Sequence, residues 1–280
     1  MILVVGAKGM LGQDLMRVLP GEVRGVDLEE IDITSPESVR RVLLTLKPRA
    51  VVNSAAYTDV DGCETNTALA MSVNGEAVGN LAAVTKEIGA TLVQVSTDYV
   101  FDGSKDAPWH EGDPVHPLSV YGRSKLLGEE LARENPEHLI VRTQWLYGLG
   151  GKNFVETMLR LATERTELAV VDDQIGAPTW TRDLALAISE LLDNRCRGTY
   201  HAANAGSCSW YEFARAIFEE EGVSMTVRPQ TTEQLGRPAP RPRYSVLDCG
   251  KLIHDTGLEL EQWREALKTY LGQRAEAGRP

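Results

Sequence analysis

The 280-residue sequence predicts an α/β protein built on a doubly wound parallel sheet. Short apolar runs recur through the first half of the chain, and segments with helical spacing of apolar residues separate them. A glycine triple lies between the first apolar run and the first helical segment. Strands that alternate with helices of this length form parallel sheets with right-handed crossovers.

The elements of the first half follow from their apolar patterns and end signals. The first run is wholly apolar, as expected of a strand buried on both faces of a parallel sheet. One helix opens with Ser35 as N-cap and Pro36 as its first residue, and it stops before Pro48. The predicted strands are ILVVGA, VRGVD, AVVNSAA, ATLVQVS and HLIVRTQWLYG. The predicted helices are GMLGQDLMRVLP, SPESVRRVLLTLKP, segments around 64–72 and 74–88, and SVYGRSKLLGEELAREN.

After Gly148 the alternation becomes less regular, which indicates a second, smaller domain. We predict a Rossmann-like dinucleotide-binding domain over residues 1–148 and a mainly substrate-binding domain over residues 149–280. The two are expected to be partly interleaved, with segments of the second half returning to the sheet. Helices are predicted in the second half at NFVETMLRLATER, RDLALAISELLDN and SWYEFARAIFEEEGV.

Composition excludes some classes of function. The formal net charge is −11, so general binding to nucleic acid or to an anionic membrane is not expected. The four cysteines have neither metal-ligand nor redox spacing, and we expect reduced, structural thiols. The N-terminus lacks a signal-peptide pattern, and no run approaches ~18 apolar residues. A cytoplasmic protein is therefore expected.

The loop GAKGMLG has the features of a phosphate site. Gly6, Gly9 and Gly12 lie between the first strand and the first helix. Glycines let backbone N–H groups approach a pyrophosphate, and the helix N-terminus adds roughly half a positive charge. A tight strand–helix turn without a ligand is the alternative. The Gly-x-x-Gly-x-x-Gly spacing resembles the extended branch of the short-chain dehydrogenase/reductase superfamily.

Two residues near this loop give opposite indications about the cofactor. Asp27 ends the second strand, where an acid bonds the ribose hydroxyls and repels a 2′-phosphate, which favours NADH. Lys8 could instead attract a 2′-phosphate, which favours NADPH. We therefore expect NADPH or NADH, with dual or weak selectivity. Asp32 and Ile33 suit a contact with the adenine edge, although a plain turn would explain them equally.

A catalytic set is predicted beside the fourth strand. That strand ends in Ser96 and Thr97, and Tyr121 and Lys125 lie four residues apart on a helix, where they share one face. Ligands of a doubly wound sheet bind at the carboxyl ends of its strands. Thr97 and Tyr121 can thus reach one substrate carbonyl beside a nicotinamide. A surface helix with a solvated lysine and a capped strand end is the alternative.

These residue types suit reduction of a ketone. Hydride addition builds negative charge on the carbonyl oxygen, which must be protonated. The pKa of a tyrosine is ordinarily about 10, and a nearby ammonium and the oxidised nicotinamide lower it by stabilising the phenolate. Thr97 would supply a fixed hydrogen bond to the developing alkoxide.

Seven further motifs extend the resemblance along nearly the whole chain, from residue 6 to about residue 252. They are NSAAYTDVDGCE, VNGEAVGNLA, VSTDYVFDG, YGRSK, RTQWLYG, DDQIGAPTW and RPRYSVLDCGKL. Together they resemble the dTDP-4-dehydrorhamnose reductase family. The resemblance implies reduction of the 4-keto group of dTDP-4-dehydro-L-rhamnose to give dTDP-L-rhamnose.

The resemblance also assigns roles to residues. It implies that Tyr121 donates the proton and that Lys125 tunes it. Trp145 would stack on the apolar face of the deoxysugar, although its position alone suits a core residue equally. The implied substrate contacts are Thr97, Asp98, Tyr99, Trp145 and Arg241. The implied cofactor contacts are Gly6, Lys8, Gly9, Met10, Leu11, Gly12, Asp27, Asp32, Ile33, Ala55, Ala56, Tyr57, Thr58, Tyr121 and Lys125. Asn74 would be a structural or cofactor-side residue.

Several related activities compete with this interpretation. Nucleotide-sugar dehydratases of the superfamily usually carry Asp-Glu directly after the threonine, whereas here Tyr99 follows Asp98, which favours simple reduction. An epimerase, or a reductase of another nucleotide-4-keto-6-deoxysugar, remains an alternative. A non-enzymatic alternative is a regulatory subunit similar to that of methionine adenosyltransferase, which would be expected to lose the Thr-Tyr-Lys set.

Phosphate and metal binding are the last two expectations. Arg237, Arg241 and Arg243 cluster in one loop, and guanidinium groups suit a diphosphate, although a solvated proline-rich loop is the alternative. Some members of the family are described as magnesium-dependent dimers held by carboxylates. Asp14 lies where one such acid occurs, but Thr181 and Arg182 stand at the second place. We therefore predict no metal ligands and favour a monomer over a homodimer.

Overall fold

The first half of the chain alternates strands and helices, as its apolar runs predict. A computed structural model describes residues 1–278. In chain order this half contains β1 (Ile2–Val5), α1 (Met10–Val18), β2 (Val23–Val26), α2 (Pro36–Leu46), β3 (Ala50–Asn53), α3 (Val60–Thr65), α4 (Thr67–Met71), a π-helical segment (Ser72–Glu76), α5 (Ala77–Glu87), β4 (Thr91–Thr97), a 3-10 turn (Asp98–Val100), α6 (Val120–Ala132) and β5 (His138–Thr143).

The second half is more varied, with short strands between its helices. In chain order it contains β6 (Leu146–Tyr147), α7 (Phe154–Glu164), β7 (Glu167–Val171), β8 (Ile175–Gly176), β9 (Thr179–Trp180), α8 (Thr181–Asp193), β10 (Gly198–His201), β11 (Cys208–Ser209), α9 (Trp210–Glu220), β12 (Thr226–Gln230), α10 (Thr232–Leu235), α11 (Gly250–Thr256) and α12 (Trp263–Glu276). Within residues 1–278 no helix combines the length and the apolar character needed to cross a membrane.

The central sheet is parallel throughout and has six strands in the order β10-β5-β4-β3-β1-β2. Five of these strands were predicted. The sixth, β10, comes from the second half and pairs with β5. Its sequence GTYH is too short and too polar to signal a buried strand. The predicted α/β fold with a parallel, Rossmann-like sheet is confirmed, while the division at residue 148 stays a prediction.

Both faces of the sheet are covered by helices, so the inner strand β1 is apolar on both sides. On one face, Ile2 and Val4 join a core with the apolar sides of α1 and α8. On the other, Leu3 and Val5 join a core with α2 and α5. A separate core in the second half is formed largely by α7, α9 and α12. Helix α8 therefore packs with the first half of the chain although it lies in the second.

The region between β3 and β4 differs most from the predicted helices. The predicted segments around 64–72 and 74–88 are α3, α4, the π-helical segment and α5. Helix α3 begins early, at Val60, because the carboxylate of Asp59 accepts the N–H of Gly62 at 2.9 Å and so caps the first turn. The π-helical segment contains Asn74, which was expected at a helix start.

A buried ion pair fixes α6 against the sheet. The Arg142 guanidinium on β5 donates two hydrogen bonds to the Glu129 carboxylate on α6, at 2.8 and 2.7 Å. The Ser96 hydroxyl on β4 donates a third, at 2.7 Å. Glu129 is fully buried and Arg142 is 2% exposed, so loss of one partner would leave an uncompensated charge in the interior.

Replacement of Arg142 by Met is expected to destabilise the fold. The substitution Arg142→Met should lower the free energy of unfolding by about 3 kcal/mol, because Glu129 then stays buried without its main partner. Urea denaturation followed by circular dichroism measures the loss. The matched control is Arg160→Met, which removes an exposed pair with Glu164 and should cost less than about 0.5 kcal/mol. Equal losses in both variants would contradict the assigned importance of the buried pair.

Candidate active site

One cavity of about 520 Å³ opens at the carboxyl ends of the central strands. Its walls come from the loop after β1, the segment after β3, the ends of β4 and β5, helix α6, and parts of the second half. This is the position at which doubly wound sheets bind ligands. The predicted site residues that line it are Gly9, Met10, Leu11, Gly12, Ala56, Thr58, Thr97, Asp98, Tyr99, Tyr121, Lys125 and Trp145.

The polar residues at the end of β4 form the floor of this cavity. The Thr97 hydroxyl accepts the Tyr99 N–H at 3.2 Å and donates to Oδ1 of Asp98 at 3.0 Å. The other Asp98 carboxyl oxygen, Oδ2, is buried and has no hydrogen-bond partner. Burial raises the pKa of Asp98 to about 7, although the nearby Ser245 and Thr97 hydroxyl groups oppose the rise.

Helix α6 brings Tyr121 and Lys125 to the same cavity. The helix begins where the Ser119 hydroxyl accepts the Gly122 N–H at 3.1 Å. A Cβ at Gly122 would lie 2.3 Å from the Tyr99 carbonyl oxygen, so only glycine allows the helix this close to the 3-10 turn. The Tyr121 ring meets the Tyr99 ring edge-on, with centroids 5.6 Å apart.

In the protein alone, the pKa values of these two residues are not those expected of the reactive complex, in which the pKa of Tyr121 is lowered. Burial and the nearby Asp98 carboxylate raise the pKa of Tyr121, and a contact with Thr97 only partly offsets them. Lys125 donates to the Val95 carbonyl at 2.7 Å, and burial lowers its pKa to about 8. The phenol of the protein alone is therefore protonated, which is the form a proton donor needs.

The glycine loop has the geometry of a phosphate cradle. Gly6 has a φ of +81°, and a Cβ there would lie 2.8 Å from the Ala55 backbone nitrogen. At Gly12 a Cβ would lie 2.1 Å from the Gly6 carbonyl oxygen, so the loop and α1 touch through glycine. No side chain caps α1, which leaves its first-turn N–H groups available to an anion. These features fit the pyrophosphate of a dinucleotide.

The remaining predicted cofactor residues lie around the cavity without lining it. Both carboxyl oxygens of Asp27 accept backbone N–H groups, from Lys8 at 3.0 Å and Leu28 at 2.9 Å. The Lys8 ammonium pairs with Glu29 at 2.6 Å on the surface. Asp32 accepts the Thr34 N–H and hydroxyl, as in the plain turn that was the alternative. The other residues in this group are Gly6, Ile33, Ala55 and Tyr57.

Asn74 connects the segment after β3 to the catalytic helix. Its amide accepts the Tyr57 N–H at 2.8 Å and donates to the Tyr57 carbonyl at 3.0 Å. The same amide nitrogen donates to the Ser124 hydroxyl on α6, also at 3.0 Å. Asn74 thus joins Tyr57, which lies between the lining residues Ala56 and Thr58, to the helix that carries Tyr121, and this supports a structural role for Asn74.

Trp145 lies at the end of β5, where its backbone adopts a φ of +48°. Its ring stacks on Trp210 with a centroid separation of 3.7 Å, and both rings line the cavity. A Cβ at Gly176 would lie 2.6 Å from the Trp145 ring, so the indole fits tightly against β8. The two halves of the chain therefore meet at an aromatic wall of the cavity.

The three arginines of the loop do not form one cluster. Arg241 makes two hydrogen bonds of 3.1 Å to the Asp61 carboxylate, which Arg237 also contacts at 3.3 Å. Arg243 pairs separately with Asp106 at 2.6 Å. Arg241 also lies beside Tyr99, and so next to the cavity wall. A diphosphate at this place would share the Arg241 guanidinium with Asp61.

The acid that was considered for magnesium is engaged within the chain. Asp14 accepts the Thr181 hydroxyl at 2.6 Å and an Arg17 hydrogen bond at 3.2 Å. The Arg182 guanidinium lies 5.3 Å from the centre of the Trp180 ring. Within residues 1–278 no three His, Cys, Asp or Glu side chains gather in a way that could hold a metal ion.

Other lining residues were not predicted. Thr143 and Gln144 directly precede Trp145 at the end of β5, so the rule that ligands bind at carboxyl strand ends could have identified them. Trp210 and Thr181 come from the second half, and only the folded chain brings them to the cavity. The full set of unpredicted lining residues is Ser54, Val60, Val95, Ser96, Thr143, Gln144, Leu146, Lys152, Thr181 and Trp210.

Comparison with known proteins agrees with this geometry. The family model described as the RmlD substrate binding domain matches residues 1–275. The chain belongs to this family. The family resemblance in the motifs is thereby confirmed, and the match covers both halves of the chain.

Individual relatives are similar to this chain over nearly their whole length. The spore coat polysaccharide biosynthesis protein SpsK of Bacillus subtilis is 46% identical, covering 99% of this chain and 98% of SpsK. A dTDP-4-dehydrorhamnose reductase structure from Clostridium acetobutylicum is 44% identical, with a TM-score of 0.95 over 98% of this chain and 99% of that one. The Bacillus anthracis reductase, solved in complex with NADP, is 39% identical, with a TM-score of 0.95 over 97% and 98% of the two chains.

The buried Asp98 carboxyl group is expected to make stability depend on pH. Its folded-state pKa of about 7 lies above the ordinary value, so the folded state favours the protonated form. The protonated Asp98 carboxyl group adds its full contribution to the free energy of unfolding below about pH 4, and this contribution is lost as the pH rises through about 7. Between pH 5 and pH 8 the wild type should lose about 3 kcal/mol of unfolding free energy relative to Asp98→Asn.

Urea denaturation at the two pH values measures this difference. The control variant, Asp193→Asn, changes an exposed carboxylate at the end of α8 and should follow the wild type. Parallel pH profiles for the wild type and Asp98→Asn would show that Asp98 does not titrate in this range.

Proposed function

We propose that this chain reduces the 4-keto group of dTDP-4-dehydro-L-rhamnose to dTDP-L-rhamnose, with a reduced nicotinamide as hydride donor. The observation that carries the proposal is the convergence of Thr97, Tyr121 and Lys125 with the glycine loop on one cavity. Similarity to proteins named dTDP-4-dehydrorhamnose reductase, at 44% and 39% identity, supports this substrate.

The chain's own groups account for the proton and the charge. The bound nicotinamide supplies the hydride. Tyr121, protonated in the protein alone, donates its phenolic proton to the carbonyl oxygen as negative charge develops there. The Thr97 hydroxyl, which donates to Asp98 Oδ1 in the protein alone, lies on the same floor and can rotate to donate a hydrogen bond to that oxygen. The Lys125 ammonium, anchored by the Val95 carbonyl, then stabilises the phenolate electrostatically.

Trp145 and Arg241 are proposed to bind the two ends of the nucleotide sugar. The Trp145 ring offers an apolar surface for the deoxysugar, and its stack on Trp210 holds it in place. Arg241 lies beside Tyr99 at the cavity wall, where its planar guanidinium can bind a diphosphate.

Cofactor choice follows from the residues at the end of β2. Asp27 and the Lys8 ammonium still favour opposite cofactors, and Glu29 partly neutralises the lysine. The relative from Bacillus anthracis was solved with NADP. We propose that the chain accepts both NADPH and NADH. A monomer and a cytoplasmic location remain predictions.

A coupled assay tests the proposal directly. Purified protein is added to dTDP-glucose, its dehydratase and its epimerase, with NADPH or NADH, and the absorbance of the reduced nicotinamide is followed. Oxidation that requires every component would support the proposed reaction and give the preferred cofactor. No oxidation, with the cofactor still bound in a titration, would favour another nucleotide sugar or a regulatory role.

Replacement of Tyr121 tests the assigned proton donor. The substitution Tyr121→Phe should lower kcat by at least about 100-fold, because no proton then reaches the developing alkoxide. NADPH binding, measured by fluorescence titration, should stay within about twofold of the wild type, since the glycine loop is unchanged. Tyr211→Phe, on α9 outside the cavity, is the matched control. Near-normal turnover by Tyr121→Phe would exclude this tyrosine as the acid.

Replacement of Asp27 tests whether this carboxylate contacts the ribose hydroxyls of the cofactor. Asp27→Ala removes a carboxylate that would repel a 2′-phosphate, so the ratio of kcat/KM for NADPH over NADH should rise about tenfold. Both values should also fall, because the carboxylate holds the Lys8 N–H of the glycine loop and the Leu28 N–H of the segment after β2. The control is Asp193→Ala at the exposed end of α8. An unchanged ratio would mean that Asp27 does not contact this part of the cofactor.

A further inference from the structure

Three buried polar atoms without hydrogen-bond partners belong to residues of this one cavity. They are Oδ2 of Asp98, Oγ1 of Thr143 and Nε2 of Gln144. Within residues 1–278, the only other such side-chain atom is the Tyr147 hydroxyl. Buried polar groups are nearly always paired in folded proteins, and an unpaired one costs about 1–3 kcal/mol. Their concentration among the residues of one cavity indicates that a polar ligand completes them.

The Gln144 side chain is held in one orientation. Its carbonyl oxygen accepts the Ala177 N–H at 3.1 Å and the Ser245 hydroxyl at 3.5 Å. The opposite amide orientation would set its NH₂ group against the Ala177 N–H, so the NH₂ must point away from both partners. Gln144 is 2% exposed, so its NH₂ has no access to bulk water. The cavity therefore contains a fixed hydrogen-bond donor.

Asp98 supplies an acceptor close to this donor. Its Oδ1 is already used by the Thr97 hydroxyl, and Oδ2 is the free atom. The Ser245 hydroxyl donates to the Gln144 carbonyl oxygen and also lies near Asp98, so both side chains neighbour the same serine. The wall thus offers a donor and an acceptor next to the reaction centre.

We propose that Gln144 determines specificity by donating its amide N–H to a ring hydroxyl beside the reacting carbonyl, while Asp98 accepts the neighbouring hydroxyl. This inference rests on the proposed function, since it concerns the sugar of the same substrate. Sugars that lack the hydroxyl would leave the buried NH₂ unpaired, and sites of this kind reject such analogues strongly. The rotatable Thr143 hydroxyl can accept or donate, so it discriminates less than the fixed amide.

The test combines a variant with substrate analogues. The variant Gln144→Met removes the amide and keeps an unbranched side chain of similar length. Its kcat/KM on the full 4-keto substrate should fall about 30-fold. The wild type should lose a similar factor on the analogue that lacks the 3-hydroxyl, which is the ring hydroxyl beside the reacting C4 carbonyl. The kcat/KM of Gln144→Met should be nearly the same on that analogue as on the full substrate, because the two changes remove the same hydrogen bond.

A second variant separates the donor from its anchor. Gln144→Glu keeps an oxygen for the Ala177 N–H but replaces the NH₂ group, so it should lose as much activity as Gln144→Met. The matched control, Gln273→Met on α12 outside the cavity, should behave as the wild type. An equal loss for Gln144→Met on the full substrate and on both the 2- and the 3-deoxy analogues, or no loss at all, would overturn the proposal.

Binding measurements make the result independent of turnover. Calorimetric titration of dTDP-L-rhamnose and its 2- and 3-deoxy analogues should show increases in Kd that follow the same pattern as the decreases in kcat/KM. If the wild type binds these compounds with this pattern but shows no turnover, the proposed reaction fails and the role of Gln144 stands. If the wild type binds none of them, both are refuted.

Discussion

The buried pair between Glu129 and Arg142 is the constraint on which the rest of the site depends. It joins the middle of α6 to β5, and Ser96 on β4 completes the carboxylate's hydrogen bonds. The Arg142 guanidinium also lies 3.5 Å from His201 on β10, so this cation on β5 contacts both a neighbouring strand and a helix. Buried ion pairs add little net stability, but separation of the two partners costs much free energy because it leaves an uncompensated charge in the interior. Here that property is applied to the helix that carries Tyr121.

Close backbone contacts act together with this ion pair to fix the position of α6 relative to its neighbours. A Cβ at Gly128 would lie 2.3 Å from the Asn74 carbonyl oxygen, and Gly122 meets the turn at Tyr99 with the same separation. The charged pair sets the rotation of the helix, while the two glycines let it approach its neighbours. Together they position the phenol of Tyr121 at the end of β4 before any ligand binds. Such preorganisation is what electrostatic catalysis requires.

The sequence predicted what depends on local pattern and missed what depends on distant contacts. Apolar runs identified β1 to β5. Glycine spacing and the Thr97, Tyr121 and Lys125 set identified the phosphate loop and the catalytic side of the cavity, while the family resemblance supplied the other predicted lining residues. The strand β10 escaped because its four residues are stabilised by pairing with β5, which no local pattern records. The pairing of Arg241 with Asp61, 180 residues apart, was hidden for the same reason. Gln144 was overlooked beside the more conspicuous Trp145.

The crossing of the second half back to the sheet has a consequence for biosynthesis. While the ribosome is still making the second half, β5 is an unpaired edge and the apolar side of α1 lacks its partner α8. Both are completed only after residue 201 has left the exit tunnel. Exposed strand edges and apolar faces are the features that draw nascent chains into aggregation and that chaperones bind. The active-site sheet of this protein is thus finished late in translation, although most of its strands are made first.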